Sequence, residues 1–360
     1  TYLADTLGLP TIIGPATSTR TEVAYNNDSP FGTLHITPSG TSPSLTALDG
    51  TISTDEDPGL LWRTAPPDSL QGAVIAEELR ALGASRVGIV AKVGTYPESL
   101  AAVFQQHWDN GNLSSRLELY NEVGDLGPLI TLFNAPEYDA VLIISPISSE
   151  MAAFLNGASA SEFDYAEKKA IFLPDAAYNV QVLDEAAPAI SLFPTIRGTI
   201  PSTPSGLAYS NFVAAYRAQY NGEDPSDFGF SAHAYDAAWM AIAGSVWSRY
   251  QEGEISGLGT ARGLRKLSDP QGQVYDLSQN QWSLISSSLR EGTSLDVSGA
   301  SGPLNYDLST GEMTSPIDVW TIECSGPLVS TCVISPIYCV DLSESPADGC
   351  CTDPSLGCEP

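Results

Sequence analysis

"GLLWRTAPPDSLQGAVIAEELRALGASRVGIV", residues 59–90, is the stretch on which the fold turns. Asp68 stands where a helix would be capped, Gln71 follows three residues later, and Gly83 marks a stop. Between them Leu70, Val74, Ile75, Leu79 and Leu82 fall near one helical stripe. An apolar, β-branched run follows, giving a strand near Val87–Lys92. Helix followed by buried strand is one beat of an alternating α/β chain.

The same beat recurs outward from this stretch. "PTIIGPATSTR" (10–20) reads as a strand at Thr11–Ile13, a turn at Gly14-Pro15, and hydroxyls at Thr17, Ser18 and Thr19. "GTLHITPSGTSPS" (32–44) repeats it, with Ser39, Thr41 and Ser42 where the strand stops and a helix is expected to begin. Next comes a loop carrying Tyr96, then a helix opened by Pro97-Glu98 with Leu100, Val103, Phe104, His107 and Trp108 on one face. "DAVLIISPISSEMAAFL" (139–155) and "KKAIFLPDAAYNVQVL" (168–183) are further strand–helix candidates. "SNFVAAYRAQYNG" (210–222) and "SAHAYDAAWMAIAGSVWSRY" (231–250) read as helices, the first closed by Asn221-Gly222. Continuous apolar strands alternating with helices imply parallel sheets covered on both faces. Beyond Asp269 the texture turns to short strands, and "IDVWTIE" (317–323) reads as the last regular one.

At 360 residues and 42% apolar, the chain can build two lobes, each with its own core. No apolar run approaches a membrane span. The first residue is Thr1, with no leader-like segment, so processing or truncation is expected to have removed what came before. Forty-three acids face fifteen bases, for a net charge of −28. Such a field repels phosphate backbones and anionic lipid, which argues against nucleic acid and membrane partners. All six cysteines (Cys324, Cys332, Cys339, Cys350, Cys351 and Cys358) lie in a Pro/Ser/Asp-rich tail. An even number in such a setting favours disulfides made in an oxidising compartment. Zinc is disfavoured, because no C-x-x-C pair and no nearby histidine is present. The pairing is left open.

The stretch 59–90, together with "IIGPATS", "ITPSGTSPSLT", "YDAVLIISP", "NFVAAYRAQY", "AYDAAWMAIA" and "SGASGPLNYDLSTGE", resembles the type I periplasmic binding proteins. The resemblance is in particular to the branched-chain amino-acid substrate-binding family, which is related to receptor ligand-binding regions. The ordered series covers about residues 1–322, and the tail after Glu323 lies outside it. Members of that family open with a strand, a helix and a second strand before anything like "YLADTLGLPTIIGP", so the first lobe is expected to lack its N-terminal portion. The resemblance implies an α/β fold of two doubly wound parallel-sheet lobes: 1–64 with 202–311, and 65–201 with 312–323. Residues 324–360 form a disulfide-rich tail. Three hinge crossings are expected near Thr64–Pro66, Thr199–Pro201 and Glu312–Ser315, where Pro and Gly are frequent.

Ligands of doubly wound sheets bind outside the carboxyl ends of the strands, where free N–H groups favour an anion. Ser39, Gly40 and Thr41, with Ser18 on the adjacent strand end, are therefore expected to hold an α-carboxylate. The resemblance places Ser39, Thr41 and Ser18 at the family's carboxylate contacts. By the same likeness Asp175 takes an ammonium group, and Tyr96 covers the ligand, although Pro97 replaces the glycine that usually follows. Tyr235 either closes the pocket or packs between helices, and Asp236 is expected to bond the fold. For each hydroxyl taken alone, helix capping is the competing explanation.

Catalytic equipment is sparse. The chain has no G-x-S-x-G, H-E-x-x-H, Walker-type loop or strand-linked G-x-G-x-x-G, so no enzyme activity, cofactor or metal is expected. His35, His107 and His233 read as structural, and Asp55, Glu56 and Asp57 as a solvated loop. The expectation is a periplasmic or extracellular solute-binding protein serving a membrane permease, with an amino acid as the small-molecule ligand. The alternative is a cell-surface sensing or interaction module.

Overall fold

β-Branched apolar runs too short for helices do become strands, and the periodic stretches between them become helices. A computed structural model describes residues 2–50, 54–109, 112–161, 165–202, 206–341 and 350. The chain begins with β1 (Thr11–Ile13), α1 (Ser18–Asp28), β2 (Leu34–Thr37) and β3 (Leu61–Arg63). It continues through α2 (Asp68–Ala81), β4 (Arg86–Lys92), α3 (Thr95–Trp108), β5 (Ser114–Tyr120), α4 (Leu126–Asn134) and β6 (Ala140–Ile144). Then come α5 (Ser148–Ser159), β7 (Ala170–Leu173), α6 (Val180–Glu185) and β8 (Ile196–Pro201). α7 (Leu207–Gln219), α8 (Ser231–Gln251), α9 (Gly257–Leu264), β9 (Gln273–Asp276) and α10 (Trp282–Arg290) follow. Last are β10 (Leu295–Gly299), β11 (Gly302–Pro303), β12 (Tyr306–Asp307), β13 (Glu312–Met313), β14 (Ile317–Cys324) and β15 (Cys332–Val340).

Two compact units result. The first comprises Thr1–Pro67, Thr203–Ser226 and Phe230–Ser315. The second comprises Asp68–Ser202, Asp227–Gly229 and Pro316–Pro360.

In the first unit β1, β2 and β3 form a parallel sheet in that order. Central β2 is buried throughout, and Leu34 and Ile36 join Trp62, Met240, Leu264 and Leu289 in one apolar core. β1 lies at the sheet edge and leaves Ile13 47% exposed. A second small sheet pairs β10 with parallel β9 and antiparallel β11. Helix α8 is fastened to it by Asp236, whose carboxylate accepts from the Ala300 N–H (2.8 Å), the Ser301 N–H (2.7 Å) and the Ser301 hydroxyl (2.6 Å).

The second unit is built on a seven-stranded sheet in the order β15-β14-β8-β7-β6-β4-β5. β8, β7, β6, β4 and β5 are parallel, while β14 and β15 run antiparallel at one side. On one face Val87, Ile89, Leu142 and Phe172 pack with Ile75 and Leu79 of α2 and with Leu100, Phe104 and Trp108 of α3. Strand order reverses between β4 and β6, the kind of switch point beside which doubly wound sheets leave an opening for ligand.

Three expectations are corrected. "IDVWTIE" is not the last strand: β15 continues the sheet from within the expected tail, and Val340 packs with Val74, Ile317 and Val319. Its central Ser335-Pro336 and its Cys332 and Cys339 conceal it in the sequence, but pairing with β14 makes it a strand. No full helix follows Thr41: only one turn of 3-10 helix forms at Pro43–Leu45, because the segment has no apolar periodicity to bury. His107 is exposed, off the stripe formed by Leu100, Ala101, Phe104 and Trp108. Cys324 pairs with Cys332, directly opposite it across the β14–β15 hairpin, and Cys339 pairs with Cys350. Cys351 and Cys358 lie outside the described residues.

Two predictions test this packing. A Cβ on Gly198 would stand 2.1 Å from the Trp320 ring and 2.6 Å from the Leu173 carbonyl. Gly198→Ala should therefore cost about 1–3 kcal/mol of stability by urea unfolding, and an unshifted midpoint would show that Trp320 yields freely. The second concerns α8. Burial holds His233 down at about 4 and pushes Asp236 up to about 6. The histidine's contribution is full above its unfolded value of 6.5 and is lost as pH falls through 4. That of Asp236 is full below 3.8 and is lost as pH rises through 6. The slopes oppose each other, so His233→Gln leaves the Asp236 slope unbalanced. The stability of that variant relative to wild type should drop by on the order of 3 kcal/mol between pH 4 and pH 6.5. Parallel profiles for the two proteins would refute the assignment.

Candidate functional site

The parallel register of β1 and β2, with Ile13 opposite Ile36, brings residues 14–18 beside residues 37–42 at the carboxyl ends of the two strands. Hydroxyls then knit the two loops together. Thr37 donates to the Pro15 carbonyl (2.7 Å) and accepts the Gly40 N–H (3.0 Å). Ser39 donates to the Ala16 carbonyl at 2.6 Å, and Ser18 accepts the Ser42 N–H at 3.1 Å. Gly40 has to be glycine here, since a Cβ would stand 2.9–3.0 Å from Thr37 and Leu45. Ser18 and Ser39 thus tie the two loops together, while the helix caps are Thr17, which accepts the Arg20 N–H, and Ser42, which accepts the Ser44 N–H.

Thr41 differs. The residue is only 2% exposed, and its hydroxyl has no hydrogen-bond partner among the described residues. Its own N–H forms no bond either among the described residues, while those of Gly40 and Ser42 on each side are taken. Burying an unmade hydroxyl bond costs about 1–3 kcal/mol, so two free donors at a strand tip are a standing invitation to an acceptor.

Two residues that nothing in their local sequence marks complete the loop. Thr37 is the hub already described. Arg63, at the end of β3, is buried and donates to the carbonyls of Gly40 (3.1 Å) and Ser42 (3.0 Å). A strand-end arginine surrounded by apolar residues is the one signal available in the sequence, because a buried guanidinium must find acceptors.

In the second unit Tyr96, in the first turn of α3, and Asp175, just beyond β7, are brought together. Both are buried, and the Tyr96 hydroxyl donates to the Asp175 carboxylate. Gln71 of α2 joins them: its amide oxygen accepts from the Asp175 N–H (3.1 Å) and the Thr199 hydroxyl (3.0 Å), and its amide nitrogen donates to Asp68 (2.7 Å). Burial raises the carboxyl of Asp175 above its ordinary value, against the pull of the Tyr96 hydroxyl. The Tyr96 phenol is held well above its own, by burial first and then by the charges of Asp175 and Asp68. Asp175 forms no ion pair among the described residues.

Tyr235 is not brought to the Thr41 loop by any contact. On α8 its ring packs against Phe212 (5.0 Å between centroids) and Trp239 (6.2 Å), as helix packing requires. Asp236 bonds the fold. His35 is closed in by Asp28 (3.3 Å) and the Gly14 carbonyl (3.2 Å). Among the described residues no group of three or more acids, histidines or cysteines is arranged to hold a metal ion, and no helix is long and apolar enough to cross a membrane.

Comparison with known proteins agrees with this architecture. No curated protein matches the sequence. A leucine-binding protein of Thermotoga maritima superposes with a TM-score of 0.69 at 18% identity, covering 94% of this chain and 81% of its own. The branched-chain amino-acid transporter substrate-binding protein of Streptococcus pneumoniae, in complex with isoleucine, gives 0.66 at 19% identity, with 93% and 82% covered. A solute-binding protein of an R. palustris ABC transporter, in complex with 4-hydroxybenzoate, gives 0.68 at 13%, with 94% and 80% covered. At such identities the likeness establishes the fold, that of type I periplasmic binding proteins. The family model described as the receptor family ligand binding region matches residues 7–319, which takes in both strand-tip clusters, and the chain belongs to that family.

Proposed function

We propose that this protein is an extracytoplasmic solute-binding protein that captures a small α-amino acid for ABC-type uptake. The observation that carries this reading is Thr41, a buried residue with two donors and no acceptor. The structural neighbours support it, because leucine, isoleucine and 4-hydroxybenzoate share a carboxylate. Neutral donors suit such a group in a chain of net charge −28, since they add no field of their own. The neighbours named for leucine and isoleucine favour an amino acid over a benzoate. The Cys324–Cys332 and Cys339–Cys350 disulfides agree with an oxidising compartment outside the cytoplasm. A permease partner follows from the uptake role.

Thermal shift against each of the twenty proteinogenic L-amino acids and benzoate tests the ligand class. An amino acid at a hundred times its dissociation constant should stabilise the protein by about 2.7 kcal/mol, and a shift with benzoate alone would overturn the amino-acid reading. Thr41→Val separates binding from folding. It removes an unsatisfied group, so the free protein should be as stable as wild type or more so. Affinity for the amino acid should fall by about 5–30-fold. Loss of stability with affinity intact would make the hydroxyl structural and end the reading.

A further inference from the structure

We infer that Arg63 is a positioning residue for this site, resting on the reading above: it presets the loop so that Thr41 is the residue left open. Its guanidinium lies on the carbonyl side of the loop. One terminal nitrogen takes the Gly40 and Ser42 carbonyls together, at 3.1 and 3.0 Å, from the residues before and after Thr41. The other takes the Thr46 hydroxyl at 2.6 Å and pairs with the Glu312 carboxylate. The Gly40 carbonyl shares its peptide plane with the Thr41 N–H, so holding it from behind sets where that N–H points, and the Ser42 carbonyl anchors the way out of the loop. The Gly40 and Ser42 N–H groups are in turn committed to Thr37 and Ser18. The N–H and hydroxyl of Thr41 have no partner among the described residues.

The charge of Arg63 is not itself the attraction for a carboxylate. Glu312 neutralises it, and its two terminal nitrogens are taken by the Gly40 and Ser42 carbonyls, the Thr46 hydroxyl and Glu312. Lysine cannot copy this, since its point charge does not span separate acceptors on two edges of one plane. Pre-organising donors removes an ordering cost that ligand binding would otherwise meet.

The test measures affinity by calorimetry for the amino acid that gives the largest shift among the twenty, alongside unfolding midpoints. Arg63→Lys should bind about tenfold or more weakly per folded molecule, with a binding stoichiometry still near that of wild type. Leu289→Ala, a core variant on α10 away from the loop, controls for stability: it should lower the midpoint and leave affinity within about twofold. Arg63→Ala should recover part of its affinity in added methylguanidinium, a rescue that a generally loosened fold would not show. If Arg63→Lys binds as wild type does while Thr41→Val is weakened, the inference fails and the carboxylate reading stands. If neither variant is weakened, or if the wild-type protein binds none of the twenty, the reading fails and takes the inference with it.

Discussion

The parallel pairing of β1 with β2 is the constraint from which the rest of the first-unit site follows. Parallel neighbours end on the same side of a sheet, so two loops far apart in sequence finish next to each other. Once Ile13 faces Ile36, the Pro15 and Ala16 carbonyls lie within reach of the Thr37 and Ser39 hydroxyls. Third in the row is β3, which delivers Arg63 to the same end. One register therefore assembles the front, the sides and the back of a single loop. A slip by one residue would turn Thr37 to the opposite face and undo all of it.

Much of this was legible in the residues. Apolar runs such as 140–144 and 170–173 are strands because they are buried on both faces, and composition alone carries that. α2 begins and ends where Asp68 and Gly83 punctuate it. Cysteine count and spacing pointed to disulfides, and two are formed. The site was legible only as a neighbourhood. Ser39 and Thr41 are both small hydroxyl residues in one loop, but a carbonyl 23 residues away decides that the first is occupied and the second free. Arg63 was hidden for the same reason, since its acceptors belong to a loop more than twenty residues earlier. β15 escaped because a strand of mixed polarity with a central proline has no local signal, and only its partner strand defines it.

The two units meet the problem of buried polar groups in opposite ways. In the first, the hydroxyls and amides of the loops after β1 and β2 bond one another and leave Thr41 without a partner among the described residues. In the second, the Asp175 carboxylate is buried at the end of β7 and accepts from one phenol, with a glutamine amide on its backbone N–H. Each arrangement is less stable than a fully paired one. Both occur at the carboxyl ends of parallel strands, where this fold class tolerates such cost for recognition.

The outermost strand of the second unit has a consequence for how these molecules behave in a crowd. A sheet's last row normally offers free amides to any passing chain, and long smooth rows of that kind nucleate stacking. Here the row is interrupted by Pro336, kinked by an irregular register opposite Val319 and Trp320, and clasped at its start by a sulfur bridge. Such a border makes a poor template for strand addition on this side of the sheet.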